Sequence, residues 1–178
     1  VTPEAVKALV RTIPDFPRPG ILFRDITTLI AHGEGLAASV DWLAQEAVAA
    51  GAQSIAGTEA RGFIFGAAVA AQLKLPFVPV RKPGKLPVPV LAIDYALEYG
   101  TGTLELDPGS IASGQRVVLI DDLLATGGTA KATAHLVRSA GGVVEDALFV
   151  IDLPDLGGAA RLSEQGIAAR AMFAFEGH

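Results

Sequence analysis

Two adjacent carboxylates, Asp121 and Asp122, follow the apolar run Val117-Val118-Leu119-Ile120 and precede Thr126-Gly127-Gly128-Thr129. Such carboxylates accept hydrogen bonds from sugar hydroxyls or hold the waters of a Mg2+ ion, and would repel a phosphate aimed at them. The glycines let the backbone approach a phosphate closely, the threonines add hydroxyl donors, and the helix start beyond them presents unpaired N–H groups. One strand–loop–helix unit would therefore hold both the hydroxyls and the phosphate of a ribose 5-phosphate. A helix start capped by acid and threonine is the plain alternative. A lone Thr-Gly-Gly-Thr would favour it; the apolar strand and paired acids in register favour the ligand.

A second chemistry lies upstream. Residues 60–93 contain no acid and the bases Arg61, Lys74, Arg81, Lys82 and Lys85, a window of +5 in a chain of net charge −5. Arg81, Lys82 and Lys85 share a stretch too rich in Pro and Gly to be a helix face. A cationic segment in an acidic body suits one small polyanion and argues against a non-specific nucleic-acid binder. His32, His135 and His178 have no metal-ligand spacing, and there is no Cys to supply a thiolate. No P-loop is present, and Gly100-x-Gly102-x-x-Glu105 fails the dinucleotide fingerprint at its third glycine.

The elements that must position these residues alternate. Helices are expected from Thr2-Pro3-Glu4 to about Arg11, over 35–50, over 62–73, over 129–140 and around Leu162. Strands are expected at 54–57, 77–80, 116–120, 143–151 and 167–175, with a hairpin over 92–99 and 103–106. Pro79 marks its strand as an edge or an end. This order implies an α/β fold, an open parallel twisted sheet flanked by helices. With 178 residues, one domain is expected. The hydrophobic fraction of 51% includes 31 alanines, and no stretch suits a membrane span. No basic region followed by an apolar run opens the chain, so a cytoplasmic protein with neither membrane nor nucleic-acid partner is expected.

The segment 117–129 resembles the 5-phosphoribosyl 1-pyrophosphate (PRPP) motif of the type I phosphoribosyltransferases. Segments 15–25 (Asp-Phe-Pro-Arg-Pro-Gly-Ile-Leu-Phe-Arg-Asp), 59–66 (Glu-Ala-Arg-Gly-Phe-Ile-Phe-Gly), 81–87 and 97–100 narrow the resemblance, in order and over nearly the whole chain, to the branch using adenine. The resemblance implies the reaction adenine + PRPP to AMP + pyrophosphate, with Mg2+, through an oxocarbenium-like ribose. It implies a hood built from the N-terminal segment (about 1–30), the C-terminal segment (about 152–178) and a flexible loop, over a core of about 34–155.

The resemblance also distributes roles. Glu98 and Tyr99 carry the chemistry, Glu98 by exchanging a proton with a ring nitrogen; spacing alone does not choose Glu98 over Asp94 or Glu105, which read as solvent-facing strand acids. Asp121, Asp122, Ala125, Thr126, Gly127, Gly128 and Thr129 hold the ribose and its 5′-phosphate. Arg61, Lys82 and Lys85 hold pyrophosphate, with the Glu59-Ala60-Arg61 backbone donating N–H groups to it, and Arg81 reaches the site of a second subunit in a homodimer. The peptide between the two residues before the 62–73 helix is often cis in this family. Leu22, Phe23 and Arg24 form the base pocket, with Phe23 stacking on one face of adenine and Leu153 on the other. Mg2+ comes with PRPP and waters, Asp121 and Asp122 being the protein's candidates to hold it. The competing readings are a 6-oxopurine enzyme, which Lys131 supports weakly, and a PRPP-sensing regulator of the same fold.

Overall fold

The computed structural model describes residues 1–97 and 100–177. The chain opens with α1 (Pro3–Lys7), where the Thr2 hydroxyl accepts a hydrogen bond from the Ala5 N–H (3.2 Å) and Pro3 needs no partner at the first helical position. It stops four residues short of the expected Arg11. Arg11 instead starts β1 (Arg11–Pro14), which pairs antiparallel with β2 (Leu22–Asp25). The reason lies far along the chain: Arg11 forms an ion pair with Asp25, and the register links Thr12 to Arg24.

After α2 (Thr27–Ile30), α3 (Gly33–Ala49) begins where the His32 Nδ1 accepts from the Gly35 N–H at 3.0 Å. Then come β3 (Ser54–Thr58), α4 (Arg61–Leu73), β4 (Phe77–Val80), the hairpin β5 (Leu91–Ala96) and β6 (Thr101–Leu106), and β7 (Val117–Leu124). The chain closes with α5 (Gly128–Ser139), β8 (Asp146–Asp152), α6 (Gly158–Glu164) and β9 (Ala168–Ala174). The main sheet has the order β4-β3-β7-β8-β9 and every pair is parallel. Pro79 does lie in an edge strand.

Alternation along the strands divides the core in two. Ile55, Val118, Ile120, Leu148 and Val150 meet Leu43 of α3 and Phe65 and Val69 of α4. Ala56, Val117, Leu119, Ala147 and Phe149 meet Leu136 and Val137 of α5, Leu104 and Leu106 of the hairpin, and Leu162 of α6. Each large side chain buried this way contributes roughly 1.5–3 kcal/mol, so both faces are covered, as a parallel sheet requires.

The sequence reading ends the central strand at Ile120, but β7 runs on to Leu124. Its neighbour keeps it extended: Asp121 pairs with Phe149, Leu123 with Ile151 and Leu124 with Asp152. Asp121 and Asp122 are thus strand residues pointing to opposite faces. No described helix is long and apolar enough to cross a membrane.

Candidate active site

The carboxyl ends of β3 and β7 open into a cavity of about 420 Å³, where an open α/β sheet binds ligands. Glu59, Ala60, Arg61, Lys82 and the whole stretch from Asp121 to Thr129 line it. The loop Ala125–Gly127 leads straight into α5, whose cap Gly127 has φ +88° and offers no side chain to the first N–H groups. Those donors are left for a ligand. Two buried hydroxyls fix α5 to β3: Thr58 Oγ1 and Thr133 Oγ1 lie 3.1 Å apart, and Thr133 donates to the Thr129 carbonyl at 2.8 Å.

From behind, the loop is held by residues the sequence reading missed. Arg161 donates from Nη1 to the carbonyls of Thr126 (3.0 Å) and Leu156 (2.6 Å). Gly158 lies so close that a Cβ on it would stand 2.5 Å from the Ala125 carbonyl oxygen. Nothing local in the sequence could have flagged either residue, because both act across the fold.

The two acids differ in surroundings. Asp122 is buried and pairs with Arg61 (Nε to Oδ2, 2.6 Å). Asp121 accepts the Asp122 N–H at 2.8 Å. Burial first, and then the neighbouring Asp122 charge, push the Asp121 carboxyl well above the usual range. The two carboxyl groups line the cavity side by side and can accept hydrogen bonds from a diol.

At the end of β3, the cis peptide is Glu59–Ala60, one residue before the Ala60–Arg61 position that the resemblance points to, because α4 starts at Arg61 and not at Gly62. The Glu59 carboxylate receives three donors: Lys85 Nζ at 2.6 Å, the Lys82 N–H at 2.9 Å and Arg81 Nε at 3.1 Å. The carboxylate therefore organises cations. Lys85, then the Lys82 N–H, hold its carboxyl down at about 2. Arg81 also lies over the Phe63 ring, 5.7 Å from its centroid. Asp25 falls likewise to about 2, chiefly through Arg11.

These two depressed carboxyls give an acid-stability prediction. The unfolded chain takes up these protons near pH 3.8 for Asp and 4.5 for Glu, whereas the folded chain resists until about 2. Their contribution is complete above about pH 4.5 and drains away as pH falls towards 2. Acid unfolding followed by circular dichroism should show Asp25→Asn losing less stability than the wild type across that interval.

A second cavity of about 390 Å³ adjoins the first and shares Arg61 with it. Ile13, Phe16, Phe23 and Ile26 line it, with the Phe16 and Phe23 rings edge to face at 5.1 Å. A flat apolar ring fits such walls. Arg24 lines the cavity as well, its guanidinium donating to the Thr12 hydroxyl (2.7 Å) and the Glu176 carbonyl (3.0 Å) and lying over the Phe175 ring. Leu22 and Leu153 do not line this cavity: Leu22 is exposed and Leu153 is buried in the core. Glu98 and Tyr99 lie outside the described residues. No group of three or more His, Cys, Asp or Glu among the described residues could hold a metal, so the paired Asp121 and Asp122 are the donors the cavity offers.

Known proteins resemble the chain over nearly its whole length. A family model described as the phosphoribosyl transferase domain matches residues 30–152. An adenine phosphoribosyltransferase of Novosphingobium aromaticivorans is 66% identical over 178 residues, all of both chains. The crystal structure of adenine phosphoribosyltransferase from Thermoanaerobacter pseudethanolicus superposes with a TM-score of 0.92 at 45% identity, covering 98% of this chain and 100% of that one. An APRTase from Giardia lamblia complexed with 9-deazaadenine gives 0.92 at 30% identity, with 98% of both chains covered.

Proposed function

The chain belongs to the adenine phosphoribosyltransferases of the phosphoribosyl transferase family, and on that premise we propose how its residues divide the reaction. It joins adenine to PRPP in purine salvage, giving AMP and pyrophosphate. The bond from C1′ to the pyrophosphate oxygen breaks as the bond from C1′ to the adenine nitrogen forms, and positive charge builds on the ribose between them.

The observation that carries the reading is the meeting of two cavities at Arg61. One is polar and ends at a phosphate loop; the other is apolar and walled by Phe23. A ribose whose 5′-phosphate sits on the N–H groups of 126–129 would place its hydroxyls by Asp121 and Asp122. Its C1′ substituents then divide between Arg61 with the Lys82–Lys85 loop and the apolar cavity. Cations held where the leaving charge develops lower the barrier. Phe23 covers one face of adenine and the backbone of Arg24, in the same wall, reads its edge. Glu98 exchanges the proton on a ring nitrogen and Tyr99 contacts pyrophosphate.

The hard oxygen donors of Asp121 and Asp122 suit Mg2+, which they would hold through waters. When bound, the ion screens the charge of the departing pyrophosphate. We place the enzyme in the cytoplasm as a homodimer. In the single chain Arg81 is engaged by its own Glu59, so reaching a second subunit's site would require it to leave that carboxylate.

Purified protein incubated with Mg2+, PRPP and one purine base at a time tests the reading. AMP from adenine is expected. Absence of AMP with formation of GMP or XMP would overturn it.

A further inference from the structure

Glu105 reads in sequence as a solvent-facing strand acid. In the structure its Oε1 accepts the Gly84 N–H at 2.9 Å. Its main chain also exchanges both hydrogen bonds with Arg81, at 2.9 and 2.8 Å. The cationic loop is thus pinned on two sides. Glu59, at the end of β3, takes the Lys82 N–H and the Lys85 ammonium, and Glu105, in β6, takes the turn between them. Gly84 has φ +81° and no other heavy atom near its Cβ direction, so packing does not set the turn there.

We propose that Glu105 is a positioning residue: through Gly84 it sets the loop that carries Lys82 and Lys85 for pyrophosphate, and it joins that loop to the hairpin whose connecting segment, 97–100, contains Glu98. The proposal rests on the reading that Lys82 and Lys85 engage pyrophosphate. Glu105 neutralises no cation among the described side chains; its partner is a main-chain N–H. What the loop needs from it is therefore an acceptor in place, not a negative charge. A glutamine offers the same carbonyl oxygen at the same reach.

The test is calorimetry of pyrophosphate with Mg2+, and separately of adenine, on the wild type, Glu105→Ala, Glu105→Gln and Lys85→Ala, with melting temperatures alongside. Loss of one hydrogen bond to a charged acceptor predicts pyrophosphate binding weaker by about five- to tenfold in Glu105→Ala. Adenine binding should stay within about twofold, and Glu105→Gln should restore most of the loss. Wild-type pyrophosphate affinity in Glu105→Ala, with weakened affinity in Lys85→Ala, would overturn the positioning role alone. So would a glutamine variant as weak as the alanine one, or equal losses for both ligands. Unchanged pyrophosphate affinity in Lys85→Ala would overturn the loop assignment itself, and the proposal with it.

Discussion

Arg61→Ala is expected to lower kcat/KM for AMP formation by about a hundred- to thousandfold, the usual cost of removing one group that meets transition-state charge. Among the described residues Arg61 alone belongs to both cavities, and its Nε holds Asp122 at 2.6 Å. Alanine removes a cation from the leaving group and strands a buried carboxylate at once. The second effect is a stability effect and can be separated. Breaking a buried pair costs about 3–5 kcal/mol, but the Arg61 side chain is 57% exposed, so water replaces part of the loss. About 1–2 kcal/mol is expected, a fall of several degrees in melting temperature. Adding Asp122→Asn should recover part of the melting temperature and none of the activity. A double variant that regained activity would show that Arg61 serves only to neutralise Asp122.

Gly158→Ala should have the next largest effect, although residue 158 does not line the active-site cavity. The added Cβ would stand 2.5 Å from the Ala125 carbonyl oxygen and 2.7 Å from Leu124 Cδ1. The first contact is with main chain, which cannot rotate aside, so the phosphate loop must shift. Overpacking of this kind costs about 1–3 kcal/mol, and a misplaced phosphate site raises KM for PRPP by about tenfold or more. Adenine affinity should hardly change. Gly33→Ala is the matched control, since nothing lies within 4 Å of that position and its φ is ordinary. If PRPP binds Gly158→Ala as it binds the wild type, the loop does not depend on its seat against α6.

The legibility of this site follows the range of the interactions that build it. The segment 117–129 could be read because strand, turn and helix start are all local, and glycine and apolar spacing encode them. The cation window was equally plain as charge. What it lacked was its partners. Glu59 and Glu105 are respectively 26 and 21 residues from the loop atoms they hold, so the sequence offers no role for the Glu59 carboxylate and reads Glu105 as a surface acid. The β1–β2 hairpin went unread for the same reason, since strands of four residues with prolines nearby carry too short a pattern. Asp121 and Asp122 looked like strand terminators; only the pairing with β8 shows the strand continuing through them. Choosing Glu98 among the hairpin acids needed the family resemblance, because residue type and spacing leave Asp94 and Glu105 as equals.

The paired state of the cations bears on how substrate is captured. The window of +5 suggests a funnel that draws polyanions from a distance. Yet Arg61 is already matched to Asp122, and Arg81 and Lys85 to Glu59. Seen from beyond a Debye length of about 8 Å at physiological ionic strength, the two carboxylates offset two of those five positive charges. The field reaching into solvent is therefore weaker than the bare window suggests. Discrimination therefore takes place at contact, as an exchange of counter-ions in which a pyrophosphate displaces carboxylates. Anions with too little charge to compete for Lys85 would leave the resting pairs intact.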